Sequence, residues 1–99
     1  MARSSALKNN RDILSKNLVI FEDNIQILSS RLGGELHDFV TEIYIVRRNL
    51  DKVRTNCGFA KVFFDYFILL QEFHLFVKAN DCLSLIDQNY TGYLALEKF

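Results

Sequence analysis

The residues most capable of chemistry lie near the carboxyl end of the chain, between positions 87 and 98. Asp87, Asn89 and Thr91 place side-chain oxygens at alternate positions, and Gly92 follows them. Calcium is bound by oxygen ligands spaced in this way along a loop, and a glycine at the sixth position permits the sharp turn. The spacing therefore makes calcium binding the first chemical hypothesis for this sequence.

This spacing resembles the first eight positions of an EF-hand calcium loop, with Leu94 at the eighth. The twelfth position, which should be a bidentate Glu, is Lys98, and Glu97 comes one residue too early. An ammonium group at that position removes two oxygen ligands and repels the cation. We therefore expect no metal site at 87–98, and a degenerate EF-hand helical protein remains an alternative.

The remaining candidates for chemistry are two histidines and two cysteines. His37 and His74 lie far apart, and neither has a second histidine four residues away, so they form no zinc-protease pair. Cys57 and Cys82 form no CxxC pair, and we expect both to be buried as small hydrophobic residues. The sequence has no phosphate-binding or dinucleotide-binding glycine motif either. We predict a non-catalytic protein without a cofactor.

Composition restricts the possible partners. The 99 residues include 12 Lys and Arg against 12 Asp and Glu, and a net charge of zero argues against binding to nucleic acid. The apolar stretch 57–77 is interrupted by Lys61, Asp65 and Glu72, which share one helical face. This pattern predicts a buried helix with a solvated stripe rather than a membrane span. Residues 1–17 are polar and contain no signal peptide, so we predict a cytoplasmic protein.

Apolar residues recur with a helical period along the whole chain, and no strand is predicted. The length fits one domain, 1–99. Helices this short are not stable alone, so they must pack together, and we predict an all-α fold in a compact six-helix antiparallel bundle. The predicted helices span 5–18, 22–32, 38–48, 57–71, 74–87 and 92–99.

Several signals place the ends and the faces of these helices. Gly33-Gly34 ends the second helix, and the apolar run 18–21 before it is expected to bend the chain. Asp38 is expected to cap the third helix. The inward face of the third helix is predicted to contain Phe39, Val40, Ile43 and Val46. One face of the fifth helix is predicted to contain Leu75, Phe76, Ala79, Cys82, Leu83 and Ile86.

The segments resemble the caspase-recruitment domain (CARD), a death-fold module of apoptotic and inflammatory adaptors. Four motifs resemble its first helix, fourth helix, fifth helix and closing turn: Leu7-x-x-x-Arg11-x-x-Leu14-x-x-x-Leu18, Phe63-Phe64-Asp65-x-Phe67, Phe76-x-x-Ala79-x-x-Cys82-Leu83, and Asn89-Tyr90-x-Gly92-Tyr93-Leu94. These are mostly core positions. The Arg-Gly that usually follows the fourth helix is replaced by Gln71-Glu72-Phe73.

The resemblance implies a Greek-key death fold and a function as a protein–protein interaction module. CARDs assemble with one another through a basic and an acidic surface. The basic surface would contain Lys8, Arg11, Lys52 and Arg54. The acidic surface would contain Glu22, Asp23, Glu35, Asp38 and Glu42. The implied partner is another CARD-type domain, of an initiator caspase or an adaptor, or a second copy of this chain.

The sequence therefore predicts homotypic CARD–CARD assembly in apoptotic or inflammatory signalling, with two alternatives. One is the degenerate EF-hand protein. The other is a structural helical homo-oligomer, in which aromatic helices rich in Phe pack between chains. Opposite charges on separate surfaces favour head-to-tail stacking, which propagates into rings or helices. In that case charge supplies steering and specificity more than affinity.

Overall fold

The computed structural model describes residues 2–33 and 36–86, with side chains from residue 6 onward. Helix α1 spans Ala2–Leu32, α2 spans His37–Asp51 and α3 spans Asn56–Ala79, and a further helical turn begins at Ser84. No strand occurs within these ranges, and the radius of gyration is 13.8 Å. The prediction of a compact, all-α fold is confirmed.

The first two predicted helices form a single helix. α1 continues for 31 residues and is not interrupted at 18–21. Its buried side chains follow one another at intervals of three or four residues, so one apolar stripe crosses the predicted bend. These side chains are Leu14, Leu18, Phe21, Ile25 and Leu28. The prediction of separate helices at 5–18 and 22–32 is therefore wrong.

The predicted end of α1 is confirmed. The helix stops at Leu32, and the Gly33 N–H donates to the Ser29 carbonyl oxygen at 2.9 Å. Gly33 has a φ of +58°, a left-handed conformation that glycine adopts without the steric cost of a Cβ atom.

Helix α2 contains the predicted third helix and extends it to Asp51. Its N-cap is Leu36, which makes no side-chain capping bond, so the prediction that Asp38 caps this helix is wrong. Asp38 lies in the first turn, where a carboxylate interacts favourably with the helix dipole. Ile43 and Val46 are buried as predicted, whereas Val40 is 51% exposed and does not face the core.

The fourth and fifth predicted helices also form a single helix, α3, which continues through 71–74. It begins after the N-cap Thr55, whose Oγ1 accepts from the Gly58 N–H at 3.1 Å. It ends at Ala79, and Asp81 has a φ of 56° in the turn that follows. The described residues thus form three long helices and the start of a fourth, not five helices of a six-helix bundle. The sixth predicted helix, 92–99, lies outside the described residues.

The early end of α3 changes the face predicted for 74–87. Leu75 and Leu83 are 70% and 50% exposed, whereas Val77 and Cys82 are buried. Leu75 lies within α3, away from the stripe that contains Phe73 and Val77, and Leu83 follows the turn that ends the helix. The prediction of one apolar face across 75–86 is therefore wrong.

The three helices pack up, down and up around one core. Short connections at 33–36 and 52–55 make α2 antiparallel to α1 and to α3. At the centre of the core, the Phe21 ring lies 4.5 Å from the Phe73 ring and 6.4 Å from the Tyr66 ring, between centroids. The Asn24 Nδ2 atom reaches across to donate to the Leu85 carbonyl oxygen at 3.4 Å.

The solvated stripe predicted on the apolar stretch 57–77 lies on α3. Lys61 Nζ and Asp65 Oδ2 form an exposed ion pair at 3.6 Å, and Glu72 is exposed two turns further on. None of the helices that the structure describes is long and apolar enough to cross a membrane.

Candidate interaction surface

The antiparallel packing of α1 against α2 brings the predicted basic residues to one end of the bundle. Lys8 and Arg11 line a surface depression of about 360 Å³ together with Leu50 and Asp51, at the end of α2. Lys52 and Arg54, which follow directly, are both exposed. The structure thus places the four basic residues near one another, although two come from α1 and two from the connection after α2.

This basic end also carries acidic side chains. Asp12 and Asp51 line the same depression as Lys8 and Arg11. No ion pair between these four residues falls within 4.0 Å, and the only described ion pairs lie elsewhere in the bundle. The site is therefore a mixed-charge surface with a basic excess, not a uniformly positive patch.

The predicted acidic residues differ in their surroundings. Glu22 Oε2 forms an ion pair with Arg47 Nη2 at 3.0 Å, which links α1 to α2. Glu42 lines a different groove, between α2 and α3. Asp23 and Asp38 are exposed, and Glu35 lies outside the described residues. The CARD resemblance grouped these residues because it implies an acidic surface on the second and third helices.

Charge is instead divided along the long axis of the bundle, at the level of the Glu22–Arg47 ion pair. We define the basic half as residues 6–21 and 48–66, and the acidic half as residues 23–33, 36–46 and 67–86. Among the described side chains, the basic half contains seven Lys and Arg residues and three Asp residues. The acidic half contains two Lys and Arg residues and five Asp and Glu residues. The formal charges of the two halves are therefore +4 and −3.

The groove between α2 and α3 is a feature that sequence reasoning missed. We call it the α2–α3 groove. It has a volume of about 340 Å³. Its lining includes Glu42, Ile45, Lys61, Asp65, Ile68 and Glu72. Ile45 and Ile68 are each 41% exposed, so apolar surface lies between carboxylates. The only sequence signal for this groove is the stripe of polar residues on α3.

Several buried polar atoms have no hydrogen-bond partner among the described residues. They include Nδ2 of Asn17, the hydroxyl oxygen of Tyr66 and Nε2 of His74. Asn10, Asn17 and Asn24 recur every seven residues on α1, beside its apolar stripe, and Asn17 and Asn24 are buried. Burial lowers the pKa of His74 because it disfavours the charged imidazolium. An unpartnered buried polar group costs free energy, so these groups reduce the stability of the fold.

Tyr66→Phe is expected to stabilise the protein by about 1 kcal/mol at neutral pH, because it removes a buried hydroxyl that makes no hydrogen bond. Urea unfolding followed by circular dichroism would measure this change. Tyr44→Phe is the matched control, since Tyr44 is 64% exposed and should leave stability unchanged. A loss of stability in Tyr66→Phe would show that the hydroxyl has a partner in solution.

The buried Tyr66 hydroxyl should also make the stability of the protein depend on pH in the alkaline range. Burial raises the pKa of Tyr66 above its ordinary value of 10.0. Above that pH the unfolded chain releases the phenolic proton while the folded chain keeps it, so the unfolded state binds fewer protons and the free energy of unfolding falls. Above pH 10 the free energy of unfolding should therefore fall less in Tyr66→Phe than in the native protein. Urea unfolding repeated above pH 10 would measure this difference.

The predicted chemistry near the carboxyl end, at 87–98, lies outside the described residues. Within the described ranges, no group of three or more His, Cys, Asp or Glu side chains could hold a metal ion. Cys57 and Cys82 are both free thiols. Cys82 is buried as predicted, but Cys57 is exposed because it lies in the first turn of α3, before the buried stripe of that helix begins at Val62.

Comparison of the chain with protein-family models, with curated protein sequences and with solved structures found no match in any of the three. The surfaces described above therefore carry the functional argument.

Proposed function

We propose that this chain is a non-catalytic protein–protein interaction module that assembles head to tail through surfaces of opposite charge. The division of charge along the bundle is the observation that carries this proposal. One copy holds both a basic half and an acidic half, and their charges of +4 and −3 nearly cancel. The basic half of one copy is therefore complementary to the acidic half of the next.

A contact between the basic half of one copy and the acidic half of another is heterologous. It leaves the acidic half of the first copy and the basic half of the second copy free. Such contacts propagate into chains or rings instead of stopping at a dimer. The principal extents of 47 × 23 × 17 Å place the centres of the two halves farther apart than the Debye length of about 8 Å at physiological salt. Each half then acts on a partner with little cancellation by the other half.

The more specific form of the proposal is CARD–CARD assembly in apoptotic or inflammatory signalling. It is supported by the sequence motifs and by the clustering of Lys8, Arg11, Lys52 and Arg54 at one end of the bundle. The Greek-key death fold is the least supported part of this form, because α1 and α3 each replace two predicted helices. Charge-driven assembly does not depend on that architecture.

Arg11→Glu tests the proposal. At low salt we expect the native protein to self-associate in sedimentation velocity, with a mean mass that rises with concentration. Arg11→Glu should weaken this association at least tenfold, about 1.4 kcal/mol, because it reverses a charge in the basic half. Salt at about 0.5 M should weaken the native association by screening exposed charges.

Arg31→Glu is the matched control for Arg11→Glu. It makes the same chemical change on the same helix, and therefore the same change in net charge, but it lies in the acidic half. Association should persist in this variant, and circular dichroism should show that both variants remain helical. A native protein that stays monomeric at low salt, or equal losses in both variants, would refute the proposal.

A structural homo-oligomer held by apolar contacts is the second candidate, and one observation favours it. Phe64, Ile68 and Leu75 on α3 are 59%, 41% and 70% exposed, and they lie at intervals of four and seven residues. A helix that is apolar on nearly all sides is usually buried. Association that persists at high salt and in Arg11→Glu would select this candidate instead.

A further inference from the structure

The α2–α3 groove combines exposed apolar surface with three carboxylates against one lysine, Lys61. Ile45 and Ile68 are each 41% exposed, and Phe64, one turn before Ile68, is 59% exposed. Glu42 and Glu72 form no ion pair with any described side chain. An apolar centre with a charged rim is the usual organisation of a protein–protein interface.

The third carboxylate of the groove, Asp65, has only a weak partner. Its Oδ2 lies 3.6 Å from Lys61 Nζ, and the Lys61 side chain is 75% exposed. An exposed pair of this kind contributes little and leaves Asp65 able to exchange partners. The groove therefore presents a net negative charge to an approaching molecule.

We propose that the α2–α3 groove is the docking site for Lys8 and Arg11 of a second copy of this chain. The proposal rests on the head-to-tail assembly proposed above and names the acidic surface that this assembly uses. It differs from the acidic surface implied by the CARD resemblance, since it keeps Glu42, adds Glu72 and leaves out Asp23 and Asp38.

The dimensions of the two surfaces are compatible. Lys8 and Arg11 are three residues apart on α1, so their Cβ atoms are about 5–6 Å apart. Glu42 and Glu72 face the groove from two packed helices, whose axes are typically about 8–10 Å apart. The long side chains of Lys and Arg span the difference. Bidentate pairing of the Arg11 guanidinium with one carboxylate would fix the register of the contact.

The charges of this chain identify a second copy as the occupant. The carboxylates of the groove favour a basic partner. The same chain carries a basic surface on another part of the bundle, where Lys8 and Arg11 line an open depression. Because the groove and the depression lie on different parts of the bundle, one copy can place its Lys8 and Arg11 in the groove of a neighbour while its own groove binds those of another neighbour. This contact is heterologous and does not saturate at two copies.

The test uses two double variants with the same change in net charge. Glu42→Lys with Glu72→Lys reverses the groove, and Asp23→Lys with Asp38→Lys reverses the acidic residues predicted from the sequence. We expect at least a tenfold loss of self-association in the first and a clearly smaller loss in the second, because Asp23 and Asp38 contribute to the charge of the acidic half but do not line the groove. Sedimentation velocity at low salt measures both losses, and equal losses would overturn the groove as the docking site. Circular dichroism checks that each double variant keeps its helical content.

Mixing variants separates this inference from the function on which it rests. Lys8→Glu with Arg11→Glu and the reversed-groove variant should each fail to assemble alone, and an equimolar mixture should assemble, because both contacts between unlike copies are complementary. A native protein that assembles and loses assembly in Arg11→Glu, but not in the reversed-groove variant, would overturn the groove and leave the proposed function intact. A mixture that stays monomeric would also overturn the groove.

Discussion

Val19→Pro should destabilise the protein by about 3 kcal/mol or more, because proline removes a backbone hydrogen bond and clashes with the carbonyl four residues before it. Val19 lies near the middle of α1 and is 49% exposed, so its side chain contributes little to the core. A domain of this size has a total stability of about 5–15 kcal/mol. Urea unfolding at neutral pH, followed by circular dichroism, should therefore show a large fall in the midpoint.

Two controls separate the backbone effect from other causes. Val19→Ala makes a comparable side-chain change without breaking the helix and should cost less than about 1 kcal/mol. Asn56→Pro places proline at the first position of α3, where it is tolerated, since Thr55 before it is already extended at φ −139° and ψ 160°. If Val19→Pro proved as mild as Asn56→Pro, residues 18–21 would be a junction between two helices and α1 would not be continuous.

Local signals were sufficient to predict the helical class and several helix ends. The 3.6-residue period and the glycine after Leu32 depend on neighbouring residues alone. The structure agrees with the sequence at each of these points. The extent of α2 was predicted only in part, because the predicted helix 38–48 ends three residues before Asp51, although Leu50 is buried with Ile43 and Val46.

The continuity of α1 and α3 could not be derived from the same signals. The run 18–21 contains four successive apolar residues, of which only Leu18 and Phe21 are buried. The break predicted between residues 71 and 74 lies beside the polar pair Gln71-Glu72, and both of these residues face solvent while Phe73 is fully buried. Each interruption is a change of helical face, which a one-dimensional pattern does not distinguish from a helix end.

The candidate interaction surface depends even more on tertiary packing. The sequence identifies which residues are charged, but their neighbours are set by the pairing of helices. Lys8 approaches Asp51 only because α1 and α2 are antiparallel, and Glu42 faces α3 while Glu22 faces Arg47 on α2. The charge division and the α2–α3 groove both depend on which residues of neighbouring helices lie side by side, and the sequence pattern does not specify this.

Phe21→Ala is expected to cost about 3–5 kcal/mol, the range for removing a buried aromatic ring from a core. Phe21 is fully buried, and its ring contacts Phe73 and Tyr66, which lie on α3. The substitution leaves a cavity between α1 and α3 and removes two aromatic contacts, each worth about 0.5–1.5 kcal/mol beyond area burial. Urea unfolding should show a much lower midpoint with little change in slope.

Phe64→Ala is the matched control, and it also distinguishes the two architectures. In the CARD resemblance, Phe64 occupies a core position of the fourth helix, so its truncation would cost as much as that of Phe21. In the three-helix packing, Phe64 is 59% exposed, and its truncation should cost less than about 1 kcal/mol. Equal losses at Phe21 and Phe64 would favour the six-helix fold, whereas a large loss at Phe21 alone would favour the continuous helices α1 and α3.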